Sequence, residues 1–169
     1  MKKLLLFLSL LPISMYAQTS ICGVDFGTSY STAERILENK FGDKDILWSD
    51  KTQLVFRDKM YAGRLWSYLY FIFQSDGVSS YLNRCILVIR CKTLAEAKEY
   101  RDAIKQQMDA KYPIVDFINE KTKLKYYLGG TDPTNYNRVG FCIDIIKLDN
   151  GEYSARLDYG PYNYVKEEL

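Results

Sequence analysis

The sequence predicts an α+β domain, with a predominantly antiparallel sheet of about six or seven strands and two helices packed on one face. Two segments carry apolar residues at helical spacing behind a capping residue. Several long runs are rich in β-branched and aromatic residues. The end of the chain predicts a hairpin whose register places matching side chains opposite each other on both faces of the sheet. The predicted order is a helix, about four strands, a second helix, one further strand and the final hairpin.

The first 17 residues have the layout of a secretory signal peptide. Two lysines precede an apolar run, and small residues lead to a cleavage site after Ala17. The apolar run is much shorter than the roughly 20 residues that cross a bilayer, so we expect no membrane span. We therefore expect an exported protein, periplasmic or secreted, in which residues 18–169 form a single domain.

The first predicted helix begins near Ser31, which stands three residues before Glu34 at the spacing of a capping box. Gly42 ends the pattern. The apolar stripe consists of Ala33, Ile36, Leu37 and Phe41. From Ile46 to Arg57 the sequence then predicts a short hairpin, with Asp50 and Lys51 at its tip.

A long hairpin follows, with two aromatic and β-branched strands broken at Ser75, Asp76 and Gly77. Side chains alternate between the two faces of a strand. In the first strand this alternation places one apolar set on one side: Leu65, Leu69, Phe71 and Phe73. It places an amphipathic set on the other side: Arg64, Trp66, Tyr68 and Tyr70.

The second helix has the clearest pattern, because Thr93 and Glu96 form a capping box and Pro113 ends the segment. Its apolar stripe consists of Leu94, Ala97, Tyr100, Ile104 and Met108. Between Pro113 and Arg138 the pattern weakens. It predicts one strand at 123–128 and a turn-rich loop at 129–137.

The sequence predicts the final hairpin together with the register of its two strands. A two-residue loop at Asn150 and Gly151 would oppose polar and apolar side chains, whereas a three-residue loop from Asp149 to Gly151 matches both faces. The three-residue loop pairs Phe141 with Tyr159, Ile143 with Leu157, Ile145 with Ala155 and Asp144 with Arg156. We therefore predict the longer loop, with Gly151 in a left-handed conformation.

All four cysteines lie beyond the predicted signal peptide, and an even number in an oxidising compartment favours disulfides. Cys85 and Cys91 lie on one predicted strand, about 20 Å apart, so they cannot pair with each other. Two alternatives remain. Either Cys22 pairs with one of them and Cys142 with the other, or the thiols are free and buried.

Composition excludes several classes of function. The chain has no histidine, which removes the commonest general base and zinc ligand. Removing residues 1–17 takes away two lysines, which leaves 21 basic against 21 acidic side chains, so we expect no nucleic-acid partner. No cysteine spacing fits zinc and no glycine-rich loop fits a phosphate, so we predict no metal, no cofactor and no catalytic residue.

Tyrosine is the one compositional excess, with 15 in the chain and 14 after the signal peptide. Binding surfaces use tyrosine for its rigid ring and its hydroxyl, although protein cores use it too. We predict a non-catalytic binding domain that recognises an envelope protein or a glycan through an aromatic sheet face. The candidate ligand-binding residues are Trp66, Tyr68, Tyr70 and Arg64. The competing interpretation is that these rings pack beneath loops or the C-terminal tail.

Two other functions remain as alternatives. The first is a carboxylate-dependent secreted glycan hydrolase, and the second is a structural subunit of an envelope complex. A hydrolase of this kind needs two carboxyl groups close together. The acids available for it are Asp25, Glu34, Asp102, Asp116 and Asp144.

Three stretches carry a resemblance to known proteins: a signal ending in "YAQ", the entry "ICGVDFGTSYSTAERILENKFG" and the terminal "LDYGPYNYVKEEL". Together they resemble small exported proteins of Bacteroidota without an assigned activity. More loosely, Gly27 and Thr28 leading into a helix that stops at a Phe-Gly pair is similar to small α+β modules of β-lactamase inhibitory proteins and outer-membrane assembly lipoproteins. Those modules continue into a Gly-x-Pro step, where this chain has Gly42, Asp43 and Lys44. The resemblance implies a fold and no functional residue.

Overall fold

The computed structural model describes residues 19–75, 77–130 and 140–161. The predicted signal peptide, most of the predicted loop at 129–137 and the last eight residues of the chain lie outside these ranges. The helices are α1 (Tyr30–Phe41) and α2 (Leu94–Asp109). The strands are β1 (Ser20–Ile21), β2 (Val24–Asp25), β3 (Gln53–Tyr61), β4 (Arg64–Ser75), β5 (Ser80–Cys91), β6 (Ile114–Ile118), β7 (Lys125–Gly129), β8 (Phe141–Lys147) and β9 (Tyr153–Tyr159). Within the described ranges, neither helix is long and apolar enough to cross a membrane.

Seven strands form one antiparallel sheet in the order β3-β4-β5-β9-β8-β7-β6, and β1 pairs with β2 in a separate small hairpin. Both helices pack on the same face of the large sheet, here called the helix face. On α1, the ring of Phe41 lies 5.6 Å from that of Phe56 in β3. On α2, the sulfur of Met108 accepts a hydrogen bond from the hydroxyl of Tyr159 in β9. The predicted α+β class, with two helices on one face of an antiparallel sheet, is confirmed.

Alternation along the central strands separates the core from the opposite face, here called the open face. In β5, Leu87 and Ile89 are buried on the helix face, while Ile86 and Val88 are half-buried on the open face. The same alternation in β9 and β8 buries Leu157 and Ile143. Each large apolar side chain that becomes fully buried contributes about 1.5–3 kcal/mol. This core fixes the sheet, and neither helix of the described residues packs on its second face.

Helix α1 begins at Tyr30 and not after Ser31, so the predicted capping box is wrong. The N-cap residue is Ser29, whose side chain makes no capping bond to the backbone. Tertiary pairing sets this start. Gly27 N donates to Leu82 O at 2.9 Å, and Leu82 N donates to Thr28 O at 2.8 Å. These bonds hold the preceding segment extended against β5, so the helix begins as soon as they end.

Helix α2 begins as predicted. The hydroxyl oxygen of Thr93 accepts a hydrogen bond from the backbone N–H of Glu96 at 3.2 Å. The Glu96 carboxylate in turn accepts from the backbone N–H of Lys92 at 2.9 Å. The predicted stripe faces the sheet, with Ala97, Ile104 and Met108 buried. Arg101 is also buried on this helix, which the stripe did not predict.

The short hairpin predicted from Ile46 to Arg57 is wrong. Strand β3 pairs instead with β4 across a two-residue turn at Ala62 and Gly63, whose φ angles are 51° and 76°. Positive φ at both central residues is typical of a type I′ hairpin turn. Residues 46–49 form a loop along the outer edge of β3, where Val55 N donates to the Ser49 hydroxyl at 2.9 Å.

The long hairpin and the final hairpin form as predicted. Strands β4 and β5 pair in an antiparallel manner and β8 and β9 follow the predicted register, with Ile143 opposite Leu157 and Asp144 opposite Arg156. Gly151 takes the left-handed conformation, with φ 84°. The strand predicted at 123–128 is present as β7, which begins two residues later and ends one residue later than predicted. Strand β6 was not predicted, because it is only five residues long and has a charge at its centre.

Candidate binding surface

The structure divides the four predicted site residues between the two faces of the sheet. Trp66 is 3% exposed and belongs to the core. Its indole N–H donates to the carbonyl oxygen of Tyr61 at 3.1 Å, and its ring lines a small cavity beside Ile104 and Met108 of α2. Trp66 is therefore part of the helix face and is not available to a ligand on the open face.

Arg64 also lies on the helix side. Its guanidinium carbon is 6.0 Å from the centre of the Tyr100 ring, which belongs to α2. The Nε atom of Arg64 is buried, and it has no hydrogen-bond partner among the described residues. This arginine therefore packs between the sheet and the helix, away from the predicted binding face.

The expectation that the four residues share one face is wrong because the alternation is interrupted next to Ser67. The hydroxyl oxygen of Ser67 accepts a hydrogen bond from the backbone N–H of Arg90 at 3.0 Å, and regular pairing of β4 with β5 begins at the next residue, Tyr68. On the other side of β4, Asp58 of β3 has a positive φ of 51°. Such an irregularity twists a strand and changes the direction of the side chains that follow.

Tyr68 and Tyr70 remain together on the open face. Their rings stack with centroids 5.8 Å apart and an angle of 29° between the planes. The guanidinium carbon of Arg57 lies 5.6 Å from the centre of the Tyr68 ring. Burial raises the pKa of Tyr70, and the nearby hydroxyl of Tyr68 raises it further. The hydroxyl of Tyr70 therefore stays protonated at neutral pH. Two stacked phenol rings thus form the aromatic part of this face.

Four arginines on the open face are each paired with a carboxylate. The pairs are Arg57 with Asp45, Arg84 with Asp158, Arg90 with Glu152, and Arg156 with Asp144. Two of the pairs are bidentate and join neighbouring strands. In the first, Arg84 Nε lies 2.8 Å from Asp158 Oδ1. In the second, Arg156 Nε lies 2.9 Å from Asp144 Oδ1.

These pairs keep the face electrically balanced. The hydrogen bonds to Asp158 raise the pKa of Arg84. Burial alone would lower the pKa of Arg156, but its hydrogen bonds to Asp144 outweigh this and raise it. Both guanidinium groups therefore stay charged, each beside a carboxylate. A polar ligand would meet donors and acceptors here and no excess of either sign.

Cys142 lies among these charges, where β8 crosses the open face. Burial, followed by the nearby Asp144, raises the pKa of its thiol to about 11. The thiol is therefore protonated at neutral pH, and a protonated thiol is a weak nucleophile. This cysteine is a small apolar member of the face and has no features of a catalytic group.

Aliphatic side chains complete the face next to the tyrosines. Tyr68 is opposite Val88, and Tyr70 is opposite Ile86 on the neighbouring strand. Ile72 continues the row on β4 and is half-buried like the others. Aromatic and β-branched residues that oppose each other across strands stabilise a sheet and present a continuous apolar surface. Among the described residues, no helix packs on this surface.

A hydrogen-bonded loop borders the open face at the β3 edge and exposes three consecutive large apolar residues. Ile46, Leu47 and Trp48 are 81%, 84% and 51% exposed. Side-chain bonds hold the loop in place: Asp45 accepts from Leu47 N at 3.0 Å, and Gln53 donates to Trp48 O at 2.8 Å. The sequence pattern predicts a strand at these residues and does not indicate their exposure.

The five acids considered for hydrolysis lie on five different elements. Four of them are engaged with cations: Glu34 with Lys44, Asp102 with Arg101, Asp116 with Lys125 and Asp144 with Arg156. Burial alone would raise the pKa of Asp102, but hydrogen bonds from Arg101 and Tyr127 outweigh it and lower the value. A general acid needs the opposite shift. In the part of the chain that the structure describes, no cluster of three acids or cysteines is arranged to hold a metal.

All four cysteines are free thiols, so of the two predicted alternatives the structure has the one without disulfides. Burial raises the pKa of Cys22 to about 12 and raises that of Cys85 as well. Both thiols are packed in the core on the helix face. Thiols in such surroundings are unreactive at neutral pH.

Comparison with protein-family models, with curated proteins and with solved structures finds no match for this chain. The resemblances to exported proteins and to small α+β modules therefore remain predictions. Inference about function depends on the surface chemistry of the open face itself.

Proposed function

We propose that this protein is an exported, non-catalytic domain of the cell envelope that binds a protein or a glycan through the open face of its sheet. The observation that carries the proposal is the stacked pair of Tyr68 and Tyr70 on that face. Around the pair, arginines alternate with carboxylates. Tyrosine and arginine are enriched where proteins bind one another, because each combines a large contact area with hydrogen bonding.

Between the two kinds of ligand, the charge pattern favours a protein. Each arginine already has a carboxylate partner, so the face offers paired charges that a protein can match with its own polar groups. A glycan would use mainly the tyrosine rings and single hydroxyl contacts. The exposed tip of Ile46, Leu47 and Trp48 at the border adds an apolar contact that suits a protein partner.

The test compares three forms of residues 18–169. The first is the parent, the second carries Tyr68→Ser and Tyr70→Ser, and the third carries Tyr68→Phe and Tyr70→Phe, which keeps both rings. A Lys98→Ser, Glu99→Ser variant on the exposed side of α2 serves as the matched control. Each form is immobilised and exposed to envelope extract, and the partner that the parent retains is purified and titrated against all four by calorimetry.

We expect the serine variant to lose at least about tenfold in affinity, since aromatic residues are frequent hot spots. The phenylalanine variant and the α2 control should bind within about threefold of the parent. Equal binding by the serine variant and the parent would show that the open face is not the site. Peptidoglycan fragments and defined oligosaccharides form a separate arm, and binding there instead of to a protein would identify the glycan alternative.

A further inference from the structure

The two edge strands of the sheet differ in how far other residues cover them. At the β3 edge, the loop that contains Asp45 and Ser49 covers the first part of the strand, where both residues bond to the backbone of Val55. Strand β6 forms the other edge and pairs only with β7 in the described part of the chain. Uncovered edge strands pair readily with further strands, and natural proteins usually protect them.

Strand β6 exposes large apolar side chains along this edge. Val115 is 58% exposed, Phe117 is 41% exposed and Ile118 is 61% exposed. Phe117 stacks on Tyr126 of β7 at 5.4 Å, which extends the apolar strip on the open face. Exposing such an apolar edge to water costs free energy. Pairing with another strand would bury the edge and remove that cost.

The hydrogen-bond pattern shows which backbone groups of β6 are available. Just beyond the strand, Asn119 N donates to Leu124 O at 2.9 Å, which continues the β6–β7 register. Because bonding alternates along an antiparallel pair, Phe117 and Val115 also bond towards β7. The N–H and C=O groups of the remaining three residues therefore point outwards. These residues are Ile114, Asp116 and Ile118.

The sequence of β6, IVDFI, is self-complementary. When two copies run antiparallel with Asp116 opposite Asp116, Ile114 is opposite Ile118 and Val115 is opposite Phe117. The outward-pointing groups of the two strands then face each other as hydrogen-bonded pairs. Four of the five opposed pairs in this register are apolar, and aromatic and β-branched pairs of this kind stabilise antiparallel sheets.

The only unfavourable pair is formed by the two copies of Asp116. In each copy Lys125 Nζ lies 3.5 Å from Asp116 Oδ2. The four charges would lie in the order lysine, aspartate, aspartate, lysine across the interface, and their sum is zero. The lysines therefore offset the repulsion between the carboxylates without removing it. Asp116 makes the association weaker than an entirely apolar strand would.

We propose that β6 pairs with β6 of a second copy of this chain, forming a symmetric antiparallel dimer with one continuous fourteen-stranded sheet. All opposed residues lie on matching faces in this register, so the helices of both copies lie on the same side. The contact spans about 17 Å of strand, which is small for a stable interface, so the dimer is weak. Its dissociation constant falls in the micromolar range.

The dimer is independent of the proposed function. Strand β6 lies at the opposite edge of the sheet from β3 and β4, which carry the loop tip and the tyrosine pair. Pairing through β6 does not cover Tyr68 and Tyr70. Loss of the dimer and loss of partner binding can therefore be measured separately, with different variants.

The test is sedimentation equilibrium of residues 18–169 from about 1 μM to about 1 mM, a range that brackets the expected dissociation constant. Ile118→Pro removes one outward N–H without removing a bond to β7, and Phe117→Lys places a charge opposite Val115. Both variants should remain monomeric at every concentration. Met60→Lys, on the opposite edge strand β3 and with Met60 64% exposed, is the matched control and should dimerise like the parent. Circular dichroism verifies that each variant is folded.

Asp116→Asn gives the opposite effect. Removal of the like-charge pair should tighten the dimer about twofold to fivefold. For the parent, raising the salt concentration should also tighten the dimer, because salt screens the repulsion between the carboxylates. A parent that is monomeric at 1 mM would overturn the proposal. A dimer that persists in both Ile118→Pro and Phe117→Lys would equally overturn it, since another surface would then be responsible.

Discussion

The indole N–H of Trp66 donates to the carbonyl oxygen of Tyr61 at 3.1 Å, which places its ring in the core, although only one residue separates it from Tyr68 on the open face. Two residues apart in a regular strand, Trp66 and Tyr68 would lie on the same face. Here they face opposite sides of the sheet. This difference decides which aromatic residues are available to a ligand. It also gives them different energetic roles, which can be measured.

Trp66→Ala should destabilise the domain far more than Tyr68→Ala. Removing the buried indole leaves a cavity between β4 and α2 and should lower the free energy of unfolding by about 3–5 kcal/mol. Tyr68 is only half-buried, so its replacement should cost less than about 1.5 kcal/mol. Urea denaturation followed by circular dichroism measures both. Equal losses for the two variants would contradict the assignment of Trp66 to the core.

The two tryptophans of the chain should respond differently to a quencher. Trp48 is 51% exposed on the loop tip, whereas Trp66 is 3% exposed. In Trp66→Phe, acrylamide should quench the remaining emission efficiently, and in Trp48→Phe it should quench weakly. Stern–Volmer constants that are equal in the two variants would show that the loop does not hold Trp48 in solvent.

The pair of Arg84 and Asp158 should contribute more to stability than the pair of Arg90 and Glu152. The Asp158 side chain is 7% exposed, so Asp158→Asn leaves a charge without its buried partner. Because the Arg84 side chain is 42% exposed, solvent reduces the effect, and we expect a coupling free energy of about 1–2 kcal/mol. A double-mutant cycle with Arg84→Met measures it.

The matching cycle for Arg90 and Glu152 serves as the control. Both side chains are more exposed, so the coupling free energy should lie below about 1 kcal/mol. A larger coupling free energy for Arg90 and Glu152 than for Arg84 and Asp158 would show that burial does not strengthen the second pair.

The fold should lose stability in alkali. Burial raises the pKa of Cys22 from 9.0 to about 12 and that of Cys142 from 9.0 to about 11. Above pH 9 the unfolded chain loses these protons while the folded chain keeps them, so the unfolded state binds fewer protons and the free energy of unfolding falls as pH rises. Below pH 9 these two groups give no pH dependence.

Each group contributes a slope of about 1.4 kcal/mol per pH unit between its unfolded and folded values. Urea titrations between pH 8 and pH 11, with a reductant present, measure the total slope. Cys22→Ala should reduce that slope by roughly the contribution of one group. An unchanged slope in this variant would show that Cys22 is not a buried thiol.

The elements that the sequence predicted correctly are those set by local signals. Helix α2 has its capping residues and stripe within one segment, and the loop that ends in Gly151 fixes the β8–β9 register. Other features depend on tertiary contacts. Helix α1 begins at Tyr30 because the preceding residues pair with β5. The turn at Ala62 and Gly63 has one local signal, the glycine, and this signal alone does not predict a hairpin.

The candidate site was only partly predictable for the same reason. The pair of Asp144 and Arg156 lies within one hairpin, so its register follows from the loop. Arg84 and Asp158 are 74 residues apart in the chain, and no local pattern brings them together. The change of face beside Ser67 requires a bond from the neighbouring strand. Strict alternation along one strand therefore misplaced Trp66.

Hydroxyl-radical footprinting of the domain, alone and with the partner purified from envelope extract, measures which side of the sheet the partner covers. We expect the partner to protect Tyr68 and Tyr70 from oxidation, while side chains on the exposed side of α2 react equally in both samples. Protection of α2 with unchanged reactivity of the two tyrosines would contradict this expectation, because the partner would then bind the helix layer and not the open face of the sheet.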